Sequence, residues 1–175
     1  GIAQGHDGMH YILPTRDLIA SSIEMMVQAH RLDAIVLLGS CDKIVPGMLM
    51  AAARLDLPAI LVAGGPREGG CTFDGRASDG SSPVEALGML KAGAISHETF
   101  LELEDGAAPG CGSCSFLGTA NTMCCIAEAI GMSLPGSATI PASHAARLRS
   151  AQAAGRQVVD LVKNCITARR IITLN

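Results

Sequence analysis

The chain has 175 residues, enough for one good core and too few for two, and 13 Lys and Arg against 16 Asp and Glu leave a net charge of −3. No block of like charge points to a nucleic acid or an anionic membrane, and with aromatic residues at 2% and no Trp there is no platform for stacked bases. No apolar run is long enough to span a bilayer and no signal-peptide pattern opens the chain, so it reads as cytoplasmic, with neither membrane nor nucleic acid as partner.

Taken in order, residues 1–9 are too glycine-rich and polar for a regular element and read as an ordered loop, with His6 and Asp7 able to face a site. The start at Gly1, inside this motif and without an initiator Met, suggests a piece of a longer protein. From Pro14 to His30 apolar residues recur at three- and four-residue intervals, which predicts an amphipathic helix. Residues 34–38 (Ala-Ile-Val-Leu-Leu) then read as a strand buried on both faces, and Pro46 to Leu55 as a helix with proline at its first position. A second buried strand, residues 59–62, completes a strand-helix-strand unit. The expected fold is therefore α/β, a three-layer α/β/α sandwich with a mainly parallel sheet, forming one domain over residues 1–175.

The turn between the first strand and its helix carries Cys41, Asp42 and Lys43 in succession, at a carboxyl strand end, where open α/β sheets keep their ligands. Alone, each reads as a core thiol, a capping acid and a solvated lysine; their adjacency argues for chemistry. The second strand also ends in glycines, Gly64 and Gly65, which let a backbone approach a ligand closely.

Residues 67–82 lack any period and read as loop, with Cys71 an unremarkable thiol. Ser82-Pro83-Val84-Glu85 has capping-box spacing and predicts a helix to about Ala92; a second short helix opens at Ser96. Cys111 and Cys114 precede an apolar helix predicted over residues 116–130, where backbone N–H groups and the helix dipole favour a thiolate. By itself this Cys-x-x-Cys pair fits half a zinc site or a redox dithiol. Cys124 and Cys125 fall within the helix as packing residues. Leu134-Pro135-Gly136 stops it, Ser143 is placed to cap a further helix to about Ala154, and Gly155 separates that from a last helix through Ile166. Seven cysteines at uneven spacing make a disulfide framework improbable and leave metal or cluster ligation open.

These stretches, with their order, resemble the dihydroxy-acid dehydratase and phosphogluconate dehydratase family over almost the whole chain. The resemblance rests on residues 1–9, on Leu13-Pro14-Thr15-Arg16, on the run from Cys41 to Leu49, on Gly64-Gly65-Pro66, on Cys111-Gly112-Ser113-Cys114-Ser115 followed by Thr119-Ala120-Asn121-Thr122-Met123, and on Leu134-Pro135-Gly136. It implies an iron-sulfur hydro-lyase of branched-chain amino acid biosynthesis that converts 2,3-dihydroxy carboxylic acids to 2-keto acids. The implied cluster, [2Fe-2S] or [4Fe-4S], matches Cys41 and Cys114, with Cys111 as the fallback, and the implied Mg2+ matches Asp42 and Lys43, the lysine as its carbamate. Without a divalent cation an unmodified Lys43 is expected to pair with Asp42 or a neighbouring acid as an ammonium.

His6, Gly64 and Gly65 fall on the substrate side of this scheme. The resemblance also implies a homodimer. A third cluster cysteine, two further magnesium carboxylates and the proton-abstracting serine of the family have no counterpart in the sequence, so this chain alone is expected to be inactive. Arg67 stands where the family has methionine. Phe116-Leu117-Gly118 leans toward sugar-acid dehydratases, whereas the Met48-Leu49-Met50 helix and residues 158–173 lean toward branched-chain enzymes. A sugar-acid substrate, a dithiol redox protein and a zinc-binding domain are the competing readings.

Overall fold

The computed structural model describes residues 6–173, so Gly1 to Gly5 of the opening motif lie outside the described residues. Two parallel strands, β1 (Ile35–Gly39) and β2 (Ala59–Ala63), pair in register from Ile35 with Ala59 to Gly39 with Ala63. Residues 132–133 flank the far side of β2: the Leu61 N–H donates to the Met132 carbonyl at 2.7 Å, and Ser133 Oγ to the Leu61 carbonyl at 2.8 Å.

Strand pleating sends alternate side chains to opposite faces. Ile35, Leu37 and Leu61 face α2 (Thr15–His30), α3 (Ile44–Leu55) and α6 (Thr119–Ala129), in clusters with Val27, Val45, Ala52, Cys124 and Ala127. Ile60 and Val62 face Ala151, Ala154 and Val158 of α7 (Ala145–Lys163). Helices thus pack on both sides of the parallel pair, with both faces of β2 covered, the expected α/β arrangement. A satellite cluster joins α4 (Ser82–Lys91) and α5 (His97–Gly106) through Ala86, Leu103 and Ala107, beside a hairpin of β3 (Thr72–Phe73) and β4 (Arg76–Ala77).

Several expectations need correction. All five residues of β2 are buried, but β1 is covered on one face only: Val36 is 46% and Leu38 65% exposed. Among the described residues β1 pairs with β2 alone. α1 (Met9–Ile12) adds a helical turn that overlaps the predicted opening loop, and α8 (Ala168–Ile171) follows the predicted last helix. The hairpin lies in the predicted structureless loop; Asp74 and Gly75, both at positive φ, make the tight turn that such pairs favour.

α7 runs unbroken through Gly155, whose cost of about 1 kcal/mol is offset by good helix formers around it. Its N-cap is His144, while Ser143 donates instead to Glu68 Oε1 at 2.6 Å. At α4 the capping box is likewise not made: Asp79 Oδ1 accepts from the Ser81 N–H and hydroxyl, and Ser82 Oγ accepts from the Asp79 N–H. α6 begins at Thr119, not Phe116, so residues 115–118 are loop between Cys114 and the helix start.

Candidate functional site

The first reactive turn is built locally. β1 ends at Gly39, and the Cys41 carbonyl accepts from the N–H groups of Ile44 and Val45, both at 3.1 Å, which starts α3 directly behind it. Pro46 sits within the first helical turn, where no N–H is required. Lys43 Nζ lies 2.8 Å from Asp42 Oδ2; the two side chains are 14% and 34% exposed.

The second reactive loop is held by distant elements. Residues after β2 pair with it: the Ser113 N–H donates to the Gly65 carbonyl at 3.0 Å and the Arg67 N–H to the Ser113 carbonyl at 2.9 Å. The Arg67 guanidinium adds bonds to the carbonyls of Ala108 (3.2 Å) and Gly112 (3.3 Å). Gly112 adopts φ +129°, and a Cβ there would stand 2.4 Å from the Arg67 nitrogen, so conformation and space both require glycine. From the other side Asn121, buried in the first turn of α6, donates both amide N–H groups at 2.8 Å, to the carbonyls of Cys114 and Phe116.

The two stretches meet. Cys41 and Asp42 line one cleft of about 290 Å³ together with Cys114, Phe116 and, from α1, Met9 and Ile12. Cys111 lines a different cleft of about 130 Å³ with Glu68 and Ser143, and of the two cysteines in the Cys-x-x-Cys motif Cys114 is the one that lines the cleft with Cys41. Phe116 also borders a neighbouring cleft of about 440 Å³ that Arg67, Asp79 and Ser115 line.

The remaining predicted positions stand back from the cleft lining. His6 Nδ1 accepts the Gly8 N–H at 3.0 Å. The Gly64 N–H donates to the Gly39 carbonyl at 3.0 Å, and a Cβ on Gly64 would meet Ser40 Oγ at 2.9 Å. At Gly65 the space of a Cβ is taken by the carbonyl of Ile140 and the nitrogen of Ala142. Behind Gly65 lies Arg147, a buried guanidinium that donates to the Ile140 carbonyl and leaves Nε and Nη1 without a partner; burial holds its pKa below the usual range. Burial likewise raises the thiol pKa of Cys124, a packing residue as its helical position suggested.

Sequence reasoning missed Asn121, Arg67 and Arg147 as supports. For Asn121 a signal existed, since asparagine is a weak helix former that prefers to bond nearby backbone, and here it stands inside an apolar helical run.

The N-terminal family description for dihydroxy-acid/6-phosphogluconate dehydratases matches residues 1–175. The chain belongs to this family. It is 56% identical over 173 residues to a dihydroxy-acid dehydratase of Caldanaerobacter subterraneus subsp. tengcongensis, and 54% identical over 174 residues to one of Caldicellulosiruptor saccharolyticus. Each match covers 99% of this chain and 31% of the relative. A dihydroxy-acid dehydratase of Clostridium pasteurianum is 51% identical, with 99% of this chain and 60% of the relative covered. The chain thus spans about a third of the length of the first two relatives.

The donor chemistry at the cleft agrees with both groups that the dehydratase resemblance implies. Two unpaired thiols in one cleft suit iron and sulfide, and a carboxylate suits magnesium. Among the described residues no three His, Cys, Asp or Glu side chains stand together as a metal site, so these residues form a partial donor set.

Proposed function

We propose that this chain carries part of the active site of a hydro-lyase that dehydrates 2,3-dihydroxy carboxylic acids to 2-keto acids. The observation that carries the reading is the meeting of Cys41, Asp42 and Cys114, far apart in the chain, at one cleft. Cys41 and Cys114 would hold an iron-sulfur cluster as thiolates, and Asp42 with carbamylated Lys43 would hold Mg2+. When bound, an iron with an open position supplies a Lewis acid for a departing hydroxyl, and the cation binds the acid's carboxylate and C2 hydroxyl oxygens. An ammonium cannot ligate a cation, so Lys43 must first give up its pairing with Asp42, lose one proton to become the neutral amine, and release a second to solvent as its nitrogen bonds the carbon of carbon dioxide and becomes a carbamate.

The rest of the cleft wall favours a branched-chain acid over a sugar acid. Met9, Ile12, Phe116 and Ala120 offer hydrocarbon to a substrate tail, and Thr119 and Asp42 supply the polar side chains of the wall beside the two cysteines. No described helix is long and apolar enough to cross a membrane. The reading includes a small-molecule substrate, a cytoplasmic location and a homodimer, without nucleic acid or membrane as partner.

Anaerobic reconstitution with ferrous iron and sulfide of an enzyme of the relatives' length carrying this sequence tests the cluster, read by visible absorption and iron and sulfide analysis. Cys41→Ser and Cys114→Ser are expected to lose the chromophore and Cys111→Ser to keep it; a full chromophore in either of the first two overturns the assignment. Hydrazone trapping of the keto acid released from a branched-chain dihydroxy acid, by an enzyme of the relatives' length carrying this sequence, tests the reaction.

A further inference from the structure

We propose that Asn121, assisted by Ser113, is a positioning residue that presets the Cys114 thiol in the cleft it shares with Cys41. The inference rests on the reading of Cys114 as a ligand and goes beyond it by naming what holds that ligand in place.

Asn121 and Ser113 are each only 6% exposed, and every hydrogen-bonding group of the Asn121 amide is used. Its two N–H groups go to the carbonyls of Cys114 and Phe116, and its Oδ1 accepts from Ser113 Oγ at 3.1 Å. This reverses the usual role of an asparagine near a helix start, which accepts from helix N–H groups; here the side chain reaches back and donates to the preceding loop.

Ser113 adds the second fixed point, because its own N–H and carbonyl are bound to the backbone of Gly65 and Arg67. The peptides on both sides of Cys114 are therefore tied to separate elements, α6 on one side and the turn after β2 on the other. The thiol keeps little freedom except its own rotamers. Phe116, a wall of the same cleft, is fixed by the same amide, so thiol and wall move together.

Only an amide completes the arrangement. A carboxylate at position 121 would turn two donors into acceptors facing two carbonyl oxygens, with scarcely any change of shape. Partners outside the ligand set that fix a ligand's direction typically change metal affinity by about tenfold or more.

The test uses Asn121→Asp and Ser113→Ala, with folding checked by far-ultraviolet circular dichroism, and two readouts. One is the rate of alkylation of Cys114 relative to Cys41 in the same molecule, measured by peptide mass spectrometry; the other is affinity for Cd2+, a thiophilic probe. We expect the alkylation ratio to change several-fold and Cd2+ affinity to fall about tenfold in Asn121→Asp, with smaller changes of the same sign in Ser113→Ala. An unchanged ratio in folded Asn121→Asp overturns the proposal. If that variant does not fold, an unchanged ratio in Ser113→Ala overturns it. The alkylation ratio judges the positioning role without metal, whereas undiminished Cd2+ affinity in Cys114→Ser overturns the ligand reading and, with it, the claim that the thiol is preset for metal.

Discussion

The two cysteine-bearing segments reach one cleft by different means. The Cys41 turn is assembled from neighbours in sequence: a strand ends, a carbonyl accepts two N–H groups and a helix begins within five residues. The Cys114 loop has no such local order; Arg67 and Gly65 hold it from one side and Asn121 from the other. A site built this way has one member that forms with its own secondary structure and one that is ordered only when separate elements have docked. Perturbations should therefore be absorbed unequally.

The strongest way to force them apart is Gly112→Ala. The new methyl would meet the backbone of Arg67 and Pro66 at 2.4 to 2.6 Å, at a φ that alanine rarely adopts. We expect a loss of more than about 3 kcal/mol in urea unfolding, or a displaced loop with Cys114 alkylated faster while Cys41 keeps its rate. Equal change at both thiols would refute the difference in construction.

A smaller effect is expected at the far end of α6, where Glu128 accepts from the N–H groups of Ala138 (2.8 Å) and Gly136 (2.7 Å). These bonds, that of Ala138 foremost, hold its pKa below the ordinary value of 4.5. The folded state thus favours the carboxylate, so the contribution is present above the unfolded pKa and is lost as pH falls below about 4.5 through the lowered folded value. Glu128→Gln should lower stability at pH 7 by about 1 kcal/mol or less, given the solvent around the group, and the gap from the parent should close in acid. Denaturant midpoints across that range check it, and a gap that widens in acid would reverse the sign.

The mildest change belongs to the local turn. Asp42→Asn removes one partner of a part-exposed ion pair, so the thermal midpoint should move by the equivalent of less than ~1 kcal/mol, with Cys41 alkylation unaltered. Differential scanning calorimetry with the same labelling tests this, and a large drop would show that the Cys41 turn also depends on its side chains.

The same division explains what could be read from sequence. The turn that carries Cys41, Asp42 and Lys43 was legible because a strand, a turn and a helix start follow one another in the chain. Cys114 was legible only through its motif; the helix start was misplaced, since Phe116 and Leu117 look apolar and helical but are needed in the loop that Asn121 braces. Arg67 and Arg147 act through bonds to Ala108, Gly112 and Ile140, contacts that no period or spacing encodes.

In the fold, β2 was legible in full because every side chain is covered, whereas the equally apolar β1 is covered on one face only. Composition reports how hydrophobic a strand is, and only the docked helices decide which of its faces is covered.

That uncovered face of β1 has a practical consequence. Val36 and Leu38 present hydrocarbon next to a strand edge that no described residue pairs, the arrangement that in other proteins seeds intermolecular pairing of strands. Self-association that grows with concentration is the expected consequence, and Leu38→Lys should reduce it without touching either thiol.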